Sequence, residues 1–299
     1  MKIIDILSNG LLALAFVFYL WTANFALAAP IIGFIESENR ALTDTIILKI
    51  PEGNYSFIAV RFNGTNKSSQ TFTVADVARI TIMKPGVANG FEPVDMSGSQ
   101  LRALLEDWFG NFQSTSTAGA AFDWTLFIPS ARPREENSRY IPDNTYIKIE
   151  LTTGTTASKI NSGFATVHVK TTNVKSKYEL CFRNTDVQIM AANTRTKVDW
   201  GHGITSHFGV LITPAAGQTL DRIEFYDSDG TKINTQYQVL NAFDNLLGML
   251  ETAVTANVYN DFDPERNLIN SLSNKPVMYI YASSGTGTAK VLSVFPMFS

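Results

Sequence analysis

Apolar and polar positions follow two regimes along this chain of 299 residues. From Leu11 to Trp21 almost every position is apolar, and no charged residue stands between Asp5 and Glu36. From Thr43 onward the apolar positions come in short runs rich in Val, Ile, Thr, Phe and Tyr, separated by Gly, Pro, Asn and Ser. That punctuation predicts strands. One series is predicted near 46–50, 57–62, 79–83, 122–128, 146–151 and 164–170, and a second near 177–182, 208–213, 222–226, 257–262, 277–281 and 289–295. Two stretches carry helical spacing instead: Leu101, Leu104, Leu105, Trp108 and Phe109 after Ser99, and Leu240, Phe243, Leu246, Leu247 and Leu250 along and just past Tyr237–Met249. Both stripes read as faces buried against a sheet. Many short strands with few helices argue for sandwiches or barrels over alternating βαβ units.

The two series correspond. Phe57–Phe62 matches Phe208–Thr213, and Arg79-Ile80-Thr81-Ile82 matches Arg222-Ile223-Glu224-Phe225. A turn and a helical stripe follow each. Beyond the stripes, a strand and then Pro133 to Asn137 answers to a strand and then Pro264 to Asn267, and further loops lead into Tyr146–Ile149 and Met278–Tyr281. A last strand closes each half. The offsets drift as loop insertions would make them, so the repeat is one of architecture with faint residue identity. It divides the chain into an N-terminal segment (1–38), a first domain (39–172) and a second (173–299).

The N-terminal segment has two readings. A helix from Leu11 to Ala29 would reach roughly 28 Å, close to the hydrocarbon thickness of a bilayer. Leu11, Leu12, Leu14, Phe16, Val17, Phe18, Leu20 and Trp21 would be its membrane-contacting residues. The rival is a secretory signal cleaved after the small-residue pattern Ala26-Leu27-Ala28. The weak positive charge ahead of the apolar run, Lys2 offset by Asp5, and Pro30 just past the cleavage pattern favour a retained segment.

Strands, a helix and more strands, placed twice in one chain, resemble the double jelly-roll major capsid proteins of tailless icosahedral viruses with an internal membrane, of the corticovirus, tectivirus and finnlakevirus type. The resemblance covers roughly Thr43 to Phe298. It is carried by Arg79–Met83 through Ser99–Leu105 to Phe127–Pro133, and by Arg222–Gly230 through Asn241–Leu247. It implies an all-β fold of two tandem eight-stranded jelly rolls, each with one accessory helix, after an N-terminal hydrophobic helix. It further implies a structural protein of the virion capsid whose partners are two more copies of itself in a pseudo-hexagonal trimer, other capsid proteins and the internal viral membrane. The family more often carries a short amphipathic helix at its N-terminus, whereas Leu11 to Trp21 is apolar all round.

Composition and charge narrow the chemistry. With 45% hydrophobic and 17% charged residues and a net charge of −3, the chain lacks the basic face that direct, sequence-specific nucleic-acid binding needs. Cys181 is the one cysteine, which leaves no intramolecular disulfide or thiolate metal cluster, and its apolar neighbours read as a buried inert thiol. Of the three histidines, His202 and His207 stand in a Gly-rich turn at a poor metal spacing, and His168 sits in an alternating strand. Asp227 to Thr231 resembles the start of a calcium loop without its later ligands, and reads better as a hairpin turn on Asp229-Gly230. No cofactor or metal is expected. Glu135, Glu136 and Asp143 in one half, and Asp261, Asp263 and Glu265 in the other, lie in Pro-punctuated loops. Such carboxylates could serve a glycan-cleaving site, but equivalent loops in two rolls fit subunit contacts better. Arg132, Arg134, Glu135, Glu136, Arg139, Asp263, Glu265 and Arg266 are the expected interface residues. A second function class is a secreted or surface-anchored two-domain adhesin or carbohydrate binder. Asn54, Asn63 and Asn66 each open a glycosylation triplet.

Overall fold

The computed structural model describes residues 33–86, 92–110, 114–133, 135–199, 208–226, 232–236, 258–261 and 277–297. The predicted N-terminal helix, the helical stripe after Tyr237, and the loop that holds His202 and His207 lie outside the described residues. Among the described residues no helix is long and apolar enough to cross a membrane.

Among the described residues three sheets carry the fold. The first runs in the order β1 (Phe34–Ala41), β10 (Ile160–Thr171), β3 (Gly53–Asn66), β7 (Ala121–Pro129) and the short β6 (Ser114–Ser116), with β8 (Arg139–Ile141) added to β3. The second has eight strands: β16 (Val258–Asp261), β13 (Gly209–Thr213), β18 (Gly287–Met297), β11 (Glu179–Ile189), β5 (Val94–Met96), β4 (Val77–Met83), β9 (Thr145–Leu151) and β2 (Thr45–Ile50). The third runs β12 (Thr194–Val198), β17 (Val277–Ser284), β14 (Thr219–Tyr226) and β15 (Lys232–Gln236).

The strand orders repeat. β1-β10-β3-β7 in the first half has its counterpart in β11-β18-β13-β16, and β2-β9-β4-β5 has its counterpart in β12-β17-β14-β15. Each half is a jelly roll of two four-stranded layers, and the middle sheet belongs to both. One layer of the first roll joins one layer of the second where β5 meets β11 in parallel, Val94 opposite Phe182 and Asp95 opposite Arg183.

Local sequence explains the elements. β9 alternates buried and half-buried positions, and β2 alternates exposed and buried ones, as strands do when only one face packs on a core. β13 and β18 instead read as nearly unbroken apolar runs, Gly209-Val-Leu-Ile and Val291-Leu-Ser-Val-Phe295. Both of their faces are buried: Val210, Ile212 and Val291 enter the core of the second roll, while Leu211, Leu292 and Val294 join the core of the first. Helix α1 (Gly98–Phe109) begins at a capping box in which Gln100 N donates to Ser97 Oγ at 3.2 Å and Ser97 N donates to Gln100 Oε1 at 2.9 Å. It ends at Gly110 with φ 86°, the left-handed region that glycine adopts without a Cβ clash. Its apolar stripe packs on β4 and β7 and continues across the seam onto β13 and β16. A one-turn helix, α2 (Thr155–Lys159), is tied down by Asp44, which accepts from Gly154 N at 2.8 Å and Thr156 N at 3.0 Å.

Two expectations need correction in detail. The first series opens on the strand near 46–50 and the second on that near 177–182, but these become β2 and β11, which occupy different places in their rolls. The missing counterparts are β1 and β12, whose sequences, Phe-Ile-Glu-Ser-Glu-Asn-Arg-Ala and Thr-Arg-Thr-Lys-Val, are too polar to signal a strand by apolar alternation. The match of Phe57–Phe62 with Phe208–Thr213 holds for the strands β3 and β13 and slips by one in facing. Ile58 and Val60 point into the first core, whereas Val210 and Ile212 point into the second. The β4 and β14 match keeps its facing, with Ile80 and Ile223 in the cores.

Candidate functional site

The expected interface residues of the first roll lie on the loop between β7 and β8 and, for Arg139, at the start of β8, and the structure brings three of them to the seam between the rolls. Arg132 Nε donates to Glu135 Oε1 at 3.1 Å, the Tyr178 hydroxyl donates to Glu135 Oε2, and the Arg132 guanidinium lies 4.0 Å from the centroid of the Phe208 ring. Tyr178 meets Phe208 edge-on at 5.3 Å. Asn137, which sequence reasoning passed over, staples the same place: its Nδ2 donates to Ser130 O and Tyr178 O, both at 2.9 Å, and Lys177 N donates to its Oδ1 at 2.8 Å. An Asn in a polar loop carries no signal that would single it out.

Arg139 is the most buried charge of this cluster, with 1% of its side chain exposed. It donates through Nη2 to Leu180 O and lies 3.8 Å from Glu179, while Lys84 pairs with Glu179 at 2.5 Å and donates to Tyr140 O at 3.2 Å. Burial weakens the hold of Arg139 on its proton, against the pull of Glu179. Burial also raises the Tyr178 hydroxyl, and its carboxylate acceptor raises it further. Glu135 goes the other way: burial opposes its charge, but hydrogen bonds from Arg132 and Tyr178 outweigh that and hold its carboxyl below the usual range. Farther along the seam, Arg79 bridges Asp95 of β5 at 2.8 Å and Glu92 at 3.1 Å.

Arg132, Glu135 and Arg139 thus join the two rolls of one chain. Glu136 stands exposed on the same loop. Arg134, Asp263, Glu265 and Arg266, and the membrane-contacting residues from Leu11 to Trp21, lie outside the described residues.

The residues read as chemical candidates take structural roles. Cys181 is fully buried in the core of the second roll, and burial pushes its thiol up to about 12. Asn66 is buried and uses its amide to close a loop, donating to Thr117 O at 2.8 Å and accepting from Phe72 N at 2.9 Å. Asn54 is exposed. His168 is half-buried on the outer face of the first sheet, beside Ala59 in the ladder. Among the described residues no three His, Cys, Asp or Glu side chains are grouped to hold a metal ion. The outer face of the third sheet gathers Tyr226, Tyr279 and Tyr281 with Arg195, which lies 3.5 Å from the Tyr279 ring centroid and pairs with the buried Glu224 at 3.0 Å.

No protein-family profile matches the chain, and no curated protein matches it in sequence. Solved structures do match it. The crystal structure of the STIV major capsid protein superposes with a TM-score of 0.65 at 13% identity, over 89% of this chain and 96% of that one. A chain of the atomic structure of Sulfolobus Turreted Icosahedral Virus gives 0.64 at 13% identity, over 89% and 90%. The major capsid protein P2 from Bacteriophage PM2 gives 0.62 at 15% identity, over 89% and 97%. At such identities the likeness is one of fold. The repeated strand order and these superpositions together make the fold of this chain the double jelly roll of viral major capsid proteins.

Proposed function

We propose that the chain is the structural major capsid protein of an icosahedral virion, that it works as a building block without catalysis, and that three copies form a pseudo-hexagonal capsomer over an internal membrane. One observation carries the reading: the same strand order occurs twice in one continuous body. Three chains with two like rolls each present six like faces, so a single molecule can tile a near-hexagonal lattice. The likeness to the STIV and PM2 capsid proteins supports it. Residues 11–21 are the proposed membrane contact. Glu136, Arg134, Asp263, Glu265 and Arg266 are the proposed contacts between copies, and other capsid proteins are further partners in the shell.

Sedimentation and negative-stain imaging of the purified full chain test this. Trimers with a near-sixfold outline are expected, whereas monomers at every concentration overturn it.

The outer face of the third sheet favours a second reading, a carbohydrate-binding module, because it gathers Tyr226, Tyr279 and Tyr281 with Arg195, aromatic and charged side chains of the kind that contact sugars. Retention on a glycan array, lost in Tyr279→Ala, would support that reading over the capsid one.

A further inference from the structure

The two ends of the strands differ in what they carry. Leu42 N, just past β1, donates to Gly163 O at 2.9 Å near the start of β10, so β1 runs back along β10 and Ile35 lies toward Thr171. The chain that carries Leu11 to Trp21 therefore enters β1 at that end, and it brings no charge with it between Asp5 and Glu36. The linker between the rolls, 172–178, starts at the same end: Thr171 pairs with Tyr55, and Thr172 N donates to Asn54 O at 3.1 Å. The last strand finishes there as well, with Met297 opposite Glu179.

The linker and the end of β10 supply Lys170, Lys175 and Lys177, the first half-buried and the other two exposed. Carboxylates at this end are engaged by other groups. Asp143 pairs with Lys49 at 3.1 Å, Glu179 with Lys84 at 2.5 Å and Glu135 with Arg132, while Glu52 accepts from the Tyr140 hydroxyl at 2.7 Å. Exposed Glu136, next to the Asn137 that holds Lys177 N, offsets one lysine and leaves the linker basic. At the opposite end of β10 the cations turn inward: Lys159 pairs with Asp76 at 2.6 Å, and Lys67 donates to Ala157 O. The lysine end also exposes Tyr140 by 47% and Met297 by 37%. A tyrosine with an apolar ring and a wet hydroxyl suits the boundary between lipid headgroups and acyl chains. Lysine stems can lie on apolar surface while their charges stay in water.

We infer that this end of the strands lies on a membrane surface, and that Lys170, Lys175 and Lys177 bind the anionic headgroups of its lipids. The partner is a lipid surface because an uncharged, apolar stretch leads into the same end as the lysines. A nucleic acid would share the attraction to lysine and leave that stretch unused. The inference rests on the membrane contact proposed above and adds to it the lipid charge that is read and the residues that read it.

Flotation of the full chain with vesicles tests it, using phosphatidylcholine alone and phosphatidylcholine with about one third phosphatidylglycerol. The mixed vesicles are expected to bind about a hundredfold more tightly, at roughly fivefold for each lysine. That excess should vanish as salt rises from about 0.1 M to about 1 M. The triple variant Lys170→Gln, Lys175→Gln, Lys177→Gln is expected to lose the excess and to keep its binding to phosphatidylcholine. The salt titration of the wild type makes the same test without any substitution. Equal binding to both vesicles at low salt, or an excess that the triple variant retains, overturns the inference and leaves the membrane contact standing. Tighter binding to duplex DNA than to the mixed vesicles at the same salt overturns the choice of a lipid partner. A chain that floats with neither vesicle overturns the membrane contact, and the inference falls with it.

Discussion

Arg139 shows how a residue legible as a charge takes its role from its surroundings. Its sequence neighbourhood suggests a partner for loop carboxylates on another subunit, but the fold buries it against Leu180 and Glu179 of its own chain. Removing it leaves Lys84 to neutralise Glu179, yet opens a large hole, so Arg139→Ala is expected to cost about 3–5 kcal/mol in denaturant unfolding. Arg139→Met, which fills the volume and buries no charge, is expected to cost clearly less. Glu135 makes a pH-dependent case. Its folded carboxyl titrates below the unfolded value of about 4.3, so its stabilisation is complete above that value and is lost as pH falls through the folded one. The gap in melting temperature between wild type and Glu135→Gln should be widest at neutral pH and shrink as pH falls below the ordinary carboxylate range. Asn66 was legible as a triplet and only the structure shows its amide spent on Phe72 and Thr117.

Elements differ in how openly the sequence declares them. Helix α1 was readable from Leu101, Leu104, Leu105 and Trp108, because one buried face at helical spacing leaves a periodic trace. Its cap is Ser97, and Ser97→Ala should cost about 1 kcal/mol, measured by chemical denaturation. Leu104→Ala, at a fully buried position, should cost about 2–5 kcal/mol in the same assay. Strands β2, β3, β4, β7 and β9 were equally readable from their alternation. β1 and β12 were not, since an edge strand that buries little has no apolar period to show. β5 is three residues long, too short for any period to register.

At the scale of the whole molecule, the shared sheet makes the two rolls one mechanical body. The core of the first roll takes in Leu180, Phe182, Leu211, Leu292 and Val294 from the second half of the chain. Unfolding one roll would expose that surface on the other, so calorimetry of the full chain should give a single transition with calorimetric and van't Hoff enthalpies in agreement. Phe182→Ala, which empties the seam, should lower stability by about 3–5 kcal/mol and split the transition in two. Independent melting of two rolls in the wild type would contradict this coupling.

The sequence by itself determined the all-β class, the one well-marked helix of the first half and the recurrence of its order, because burial on one face imprints a period of two or 3.6 on the residues concerned. That β13 and β18 are buried on both sides, which their nearly unbroken apolar runs fit, emerged only from the structure. Which edge meets which was decided only by the tertiary structure. Backbone hydrogen bonds between β5 and β11 are made by groups that every residue carries, so no side-chain pattern announces them. The same holds for the loop arginines: charge is written in the sequence, whereas the partner is set by where the chain returns.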